Sequence, residues 1–300
     1  MIQVPDVVRN RALAVGAADW LAELPELVAA LEREWEFDVG RQFDEGTEAF
    51  VAEVVHTDGT SAVLKLLIPR AEHDDHEAFV LRLADGDGCP MLYRDDPTRN
   101  ALLMERLGPS MFSLGLPYEQ RLPALCDAAR RIWRPVPSGD LPTGATKADW
   151  LSNYITATWE MLDHPCTAAA VDHAVECARR RLAAHDDERS VLLHGDVHQW
   201  NALRADDGFK LVDPDGMFGE AEYDLGVILR EDPEELLATG DPFATAQWMA
   251  NRCGLDAVAI WEWGVVERMS TGLMATQIDL QPAGRQMLAA ADLLVGIVTD

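Results

Sequence analysis

Two periodicities share the first third of the chain. Trp20, Leu21, Leu24, Leu27, Val28 and Leu31 recur every three or four positions, with Trp35 and Phe37 following, so residues 1 to about 37 are expected to be helical. Alternation then takes over. Phe50–Val55 and Ala62–Ile68 read as strands joined by a tight turn at Asp58-Gly59. Ahead of them, the stretch from Val39 to Ala49 reads as a loop holding Gly46 and Thr47. A helix over Glu72–Ala84 follows, then two short strands at Leu92-Tyr93 and Ala101–Met104, separated by the turn-rich Arg94–Asn100. Glu105–Pro109 breaks the pattern and reads as a hinge between an N-terminal domain, 1–107, and a C-terminal one, 108–300.

Beyond the hinge the pattern is mostly helical. Expected helices are Tyr118–Arg134, Lys147–Leu162, Thr167–His185, Pro242–Arg252, Leu255–Leu280 and Gly284–Val298, with the proline-rich Pro135–Pro142 as a connector. Trp150, Leu151, Tyr154, Ile155, Thr158 and Trp159 form one stripe, expected to pack. Glu176 and Arg179–Arg181 are expected on a solvated helix face. Two short apolar runs, Val191–Leu193 and Leu211-Val212, interrupt the helices and read as strands with a turn between them.

Composition narrows the field. Three hundred residues suit two lobes or one large domain. No apolar stretch reaches the roughly 20 residues that span a bilayer. The N-terminus lacks the basic-then-apolar order of a secretion signal, so a cytoplasmic location is expected. Five scattered cysteines without a C-x-x-C pair read as thiols in a reducing compartment. A net charge of −27 argues against nucleic acid and anionic membrane as partners and permits a cationic substrate steered by an acidic cleft.

The candidate chemistry lies between His194 and Asp224, where His194, Gly195, Asp196, Asn201, Asp213 and Asp215 follow one another closely. Asp196 and Asn201 are five residues apart, the spacing of Asp and Asn in the catalytic loop of protein kinases. Phosphoryl transfer asks for such a set: one carboxylate beside the attacking hydroxyl, and an amide plus a second carboxylate, here Asn201 and Asp213, to hold Mg²⁺ against the phosphates of ATP. Lys65, in Ala-Val-Leu-Lys, matches the phosphate-binding lysine strand, and Glu77 on the next helix is its expected partner. Backbone amides near Gly46 and the Thr47 hydroxyl are candidates to cradle phosphates, although the stretch is not G-x-G-x-x-G. Hinge backbone beside Met104, with the Met104 and Leu107 side chains, is the candidate adenine contact.

Over nearly its full length the chain resembles the aminoglycoside phosphotransferase family, and within it the streptomycin 6-kinase and hydroxyurea phosphotransferase group. The resemblance is carried by Trp20-Leu21…Leu24-Pro25…Leu27…Trp35, Asp58-Gly59…Val63-Leu64-Lys65, Glu77-Ala78…Leu81-Arg82 and Ala101–Leu107. Its most specific parts are His194-Gly195-Asp196-Val197-His198…Asn201 and Asp213-Pro214-Asp215-Gly216…Gly219-Glu220…Tyr223-Asp224. It implies an α+β, bilobal, protein-kinase-like fold with a small β-rich N-lobe and a mostly helical C-lobe. It implies Asp196 as base or orienter of the substrate hydroxyl, Asn201 and Asp213 as Mg²⁺ ligands, and Lys65 with Glu77 on the ATP phosphates. His194 and Asp224 would brace the catalytic loop, and His198 has either a site or a structural role. The implied acceptor is a small cationic antibiotic, held by acids such as Asp215, Glu220, Glu222, Glu262, Glu267 or Asp279, in a monomer or homodimer. Two residues depart from the family pattern: Trp200, where a small residue is common, and Asp215, where this group often has a basic or neutral one. The rival readings are a metabolic kinase for choline, a sugar or an amino alcohol, and a nucleotide-binding pseudoenzyme.

Overall fold

The computed structural model describes residues 2–44, 46, 48–69, 76–135 and 141–297. They form two compact units, one up to Gly108 and one from Pro109 onward.

The first unit contains helices α1 (Asp6–Ala14), α2 (Ala18–Trp35) and α3 (His76–Ala84) and strands β1 (Phe37–Gln42), β2 (Ala49–His56), β3 (Ser61–Leu67), β4 (Leu92–Asp96) and β5 (Ala101–Glu105). The expected helical N-terminal segment is two helices, and Phe37, expected near the helical end, opens a strand. All neighbouring strands pair antiparallel in the order β1-β2-β3-β5-β4. Trp20, Leu24, Val28, Leu31 and Trp35 of α2 are buried against Phe50, Ala52 and Val54 of β2 and Ala62, Leu64 and Leu66 of β3. At roughly 1.5–3 kcal/mol per large apolar side chain, this stripe contributes on the order of 10 kcal/mol against the entropy of ordering the helix. Because strand side chains alternate, the residues of β3 that meet α2 are the even-numbered ones, and Lys65 points to the opposite face.

The second unit holds α4 (Tyr118–Ile132), α5 (Gly144–Met161), α6 (Ala168–Ala184), α7 (Glu222–Arg230), α8 (Pro233–Ala238), α9 (Pro242–Cys253), α10 (Ala257–Gln277) and α11 (Ala283–Leu293). Four short strands complete it: β6 (Val191–Leu193), β7 (Ala202–Ala205), β8 (Gly208–Leu211) and β9 (Met217–Gly219). α10 is buried on nearly every side from Ala259 to Leu273, which makes it the axis of the unit. It meets α7 where side chains are absent: a Cβ on Gly226 would lie 2.3 Å from Trp263 Cβ. No larger residue fits that crossing.

The two apolar runs around the acidic stretch are strands, but they do not pair with each other. β6 pairs with β9, Val191 opposite Gly219, while β8 pairs with β7, Ala202 opposite Leu211. The helix at Lys147 starts earlier, at Gly144, behind an N-cap in which Thr143 and Thr146 bond reciprocally. Its stripe is also narrower than expected. Leu151, Ile155 and Thr158 are buried, whereas Trp150 is 55% exposed and stacks on Tyr154 at 5.1 Å. Among the described residues no helix is long and apolar enough to cross a membrane.

Candidate active site

In the first unit, Lys65 on β3 reaches Glu77 on α3. Its Nζ lies 2.6 Å from both Glu77 carboxylate oxygens, with both side chains largely buried. An ammonium clamped this way is held in one orientation. The rest of the expected nucleotide set shows less. Thr47 lies outside the described residues. Gly46 sits just ahead of β2, close to the Ala49 carbonyl. Met104 and Leu107 are both buried, and Met104 pairs with Val63 and Leu92 in the sheet.

In the second unit, β6 delivers the chain into the loop His194–Asn201, and this loop is fixed mostly by backbone and buried side chains. Asp224, fully buried at the start of α7, accepts three N–H bonds: from His194 N at 3.1 Å, Gly195 N at 2.9 Å and Trp133 Nε1 at 2.9 Å. Burial raises its carboxyl to about 6, so it is ionised at neutral pH, as three donors require. His194 is also fully buried. Its Nε2–H donates to Val212 O at 3.0 Å and its Nδ1 accepts from Asp196 N at 3.2 Å, a pattern that demands the neutral ring. Burial lowers its pKa to about 4. Gly195 has φ +89°, and a Cβ there would come within 3.0 Å of Asp215 Cβ, so only glycine lets the loop lie this close to Asp215.

Asp196 is the focus of these contacts. Arg230, the last residue of α7, donates from Nη2 to Asp196 Oδ1 at 2.7 Å. His198 Nε2 donates to Oδ2 at 3.0 Å, and Asn201 Nδ2 lies 3.1 Å from the Asp196 carbonyl and 3.2 Å from Oδ2. Desolvation would raise the Asp196 pKa, but the Arg230 charge and His198 hold the carboxyl well below the usual carboxylate range. Arg230 is itself saturated. Its Nη1 meets Glu267 at 3.1 Å and its Nε meets Glu231 at 3.1 Å.

Asn201 ends this loop, its N–H donating to the His198 carbonyl at 3.1 Å. With Nδ2 committed to Asp196, its Oδ1 is the atom suited to a cation. Asp213 is exposed and adopts φ +57°, uncommon for a residue with a side chain. Among the described residues no three His, Cys, Asp or Glu side chains form a metal cluster. An amide oxygen and one carboxylate are hard donors that suit Mg²⁺ shared with phosphates, and not a closed protein cage.

The acidic wall expected for the acceptor is mostly committed elsewhere. Glu262 is 2% exposed and ion-paired with Arg180 and Arg181, so Arg181 is not on a solvated face. Glu267 is paired with Arg230 and accepts from the Tyr223 hydroxyl. Glu222 is buried and accepts from Asp256 N, and Glu220 is bound by Arg181 and Trp263 Nε1. Asp215 and Asp279 are exposed. Asp215 opens to solvent on one side, yet crowding by protein, then Asp196 and Glu267, raise its carboxyl to about 6 against the pull of Lys147.

Arg230 and the direct His198–Asp196 bond are the functional contacts that sequence reasoning missed. A signal for Arg230 existed: a lone cation closing the apolar run Leu225–Leu229 must find a buried partner.

Comparison with known proteins agrees with this architecture. A family model described as aminoglycoside/hydroxyurea antibiotic resistance kinase matches residues 35–266. A streptomycin 6-kinase from Streptomyces glaucescens is 28% identical over 247 residues, 80% of this chain and 79% of that protein. A hydroxyurea phosphotransferase from Kitasatospora aureofaciens is 29% identical over 233 residues, 75% and 67% of the two chains. Among solved structures, a thermostable mutant of an aminoglycoside phosphotransferase in ternary complex with ADP and hygromycin B superposes with a TM-score of 0.62 at 15% identity, covering 90% of this chain and 98% of that one. The fold is therefore α+β and protein-kinase-like, and the protein is a phosphotransferase of the small-molecule kinase class. The chain belongs to the aminoglycoside/hydroxyurea antibiotic resistance kinase family.

Proposed function

We propose that this protein transfers the γ-phosphate of ATP, with Mg²⁺, to a hydroxyl of a small cationic antibiotic of the streptomycin type and so inactivates it. One observation carries the reading: Asp196 and Asn201 sit in one braced loop, with the Asp196 carboxylate gripped by Arg230 and His198. The relatives named streptomycin 6-kinase support the acceptor class.

The roles follow from the side chains. Phosphoryl transfer passes through a loose transition state, so positioning and charge neutralisation matter more than full deprotonation of the nucleophile. A carboxylate made weakly basic by Arg230 suits that demand: Asp196 accepts a hydrogen bond from the acceptor hydroxyl and aims its oxygen. Asn201 and Asp213 would hold Mg²⁺, which supplies neutralisation of phosphate charge when bound. Lys65, fixed by Glu77, would hold nucleotide phosphates. Gly46, Thr47 and the hinge at Met104 and Leu107 are assigned to the nucleotide by their place in the chain. Asp215 offers the acceptor an open carboxylate beside the reacting loop.

Transfer of labelled γ-phosphate to a panel of streptomycin, other aminoglycosides, hydroxyurea, choline and sugars tests this directly. Labelling of streptomycin or another cationic antibiotic is expected. Labelling of choline or a sugar alone would replace the acceptor class, and no labelling with any of them would contradict the proposal.

A further inference from the structure

Two large aromatic side chains stand in solvent next to the catalytic loop, and nothing in the roles above uses them. Phe112 is 53% exposed and Trp200 is 47% exposed. Their rings stack, with centroids 4.9 Å apart and planes 26° from parallel. The pair is held by backbone on both sides. Phe112 N donates to Gln199 O at 3.1 Å, Met111 N donates to Ala202 O at 2.7 Å, and Ser110 bridges Leu203. A direct chain of contacts then leads to the reacting carboxylate. The His198 ring meets Trp200 edge-on at 5.7 Å, and His198 Nε2 bonds Asp196 Oδ2 at 3.0 Å.

Exposing two aromatic faces forgoes the burial that Trp261 and Trp263 of the same unit obtain. What such faces offer a ligand is specific. The ring quadrupole attracts cations, and a guanidinium also stacks flat on an aromatic surface. The surroundings favour that occupant. The chain carries a net charge of −27, and Asp215, an exposed acid, has its Cβ close to Gly195 of the same loop.

We infer that Phe112 and Trp200 form an aromatic platform that selects the acceptor by stacking on a planar guanidinium group. The inference rests on the phosphotransferase reading and adds the acceptor chemistry that this chain's own residues recognise. The platform positions the acceptor and takes no part in bond making. Trp200 supplies the larger face and Phe112 backs it.

Streptomycin, which carries guanidinium groups, is the probe. Kinetics and calorimetric binding are compared for the parent, Trp200→Ala, Phe112→Ala, Trp200→Leu and Trp200→Phe. Loss of the platform is expected to raise the streptomycin KM and Kd roughly 3- to 30-fold, the span of a cation–aromatic contact. The change should fall on acceptor KM rather than on kcat or on the KM for ATP. Trp200→Phe should recover most of it and Trp200→Leu should not, since leucine keeps the apolar surface without the ring. Unchanged streptomycin Kd in Trp200→Ala, rescue by leucine, or a rise in the KM for ATP instead would overturn the platform. So would an absence of streptomycin binding to the parent. Binding that weakens in Trp200→Ala while no phosphate is ever transferred would overturn the phosphotransferase reading and leave the platform standing.

Discussion

Arg230 carries one positive charge among three carboxylates, and replacing it should damage both stability and transfer. Its guanidinium donates to Asp196 at 2.7 Å and to Glu267 and Glu231 at 3.1 Å each, and its side chain is 11% exposed. Arg230→Met keeps the length and removes the charge. The Glu267 side chain, 5% exposed, would then retain only the Tyr223 hydroxyl among these contacts while facing Asp196 and Glu231. Removing one partner of a buried ion pair costs about 3–5 kcal/mol. The Arg230 side chain keeps some exposure, 11%, so the lower end of that range, ~3 kcal/mol, is expected. Urea unfolding measures it. The second consequence is kinetic. Without its anchor on Oδ1, Asp196 loses its fixed aim, and kcat should fall by roughly 10- to 100-fold. Its pKa should also rise toward the ordinary carboxylate range, so the acid limb of the pH–rate profile should move up. Adding Glu267→Gln should recover part of the stability and none of the kcat. A single variant within 1 kcal/mol of the parent and within twofold in kcat would refute this account of Arg230.

Three further outcomes are expected. His194, near 4 in the fold against an ordinary 6.5, is protonated first in the unfolded chain, so its contribution falls as pH drops through that window; Asp224, near 6 against 3.8, is protonated first in the fold and offsets it. Urea titrations of Asp224→Asn should therefore show a steeper stability loss between about pH 6 and 4 than the parent, and equal slopes would contradict the pairing. Asp213→Ala should weaken Mg²⁺-dependent ATP binding by at least about tenfold in calorimetry, since it removes the only carboxylate assigned to the cation; unchanged affinity would remove that assignment. Gly195→Ala should lower stability by about 1–3 kcal/mol, through a left-handed backbone and a forced shift of Asp215, and should lower kcat with it; a neutral result in both would argue against the tight loop geometry.

How much of this was legible in the sequence depended on whether burial left a period. α2 was readable because one face is buried and the other solvated. β1 was not: it is an edge strand with a single buried residue, Phe37, and reads as a loop. α7 escaped for the opposite reason, since Glu222 through Leu229 are all buried and no amphipathic stripe exists to find. The pairing of β6 with β9 is set by packing between segments distant in sequence, and no local spacing announces it.

The site divides the same way. The order Asp196, Asn201, Asp213 is a local spacing, and Lys65 followed by Glu77 is nearly one, so both sets could be proposed from the chain alone. Partners brought in from elsewhere could not. Nothing local says that Arg230 meets Asp196 across 34 residues, or that Glu262 and Glu267 are locked by Arg180, Arg181 and Arg230 instead of facing a substrate. An acid on a helix looks alike in sequence whether it is solvated or buried with a cation. Its partner decides, and the partner is a property of the fold.

The most direct measurement is transfer of labelled γ-phosphate from ATP, with Mg²⁺, to streptomycin by the parent protein and by Asp196→Ala, run side by side. The parent should label the antibiotic, and Asp196→Ala, folded because Glu267 and Glu231 still satisfy Arg230, should be slower by roughly 10²- to 10⁴-fold. Transfer by Asp196→Ala at the parent's rate would contradict the central claim that Asp196 aims the attacking hydroxyl.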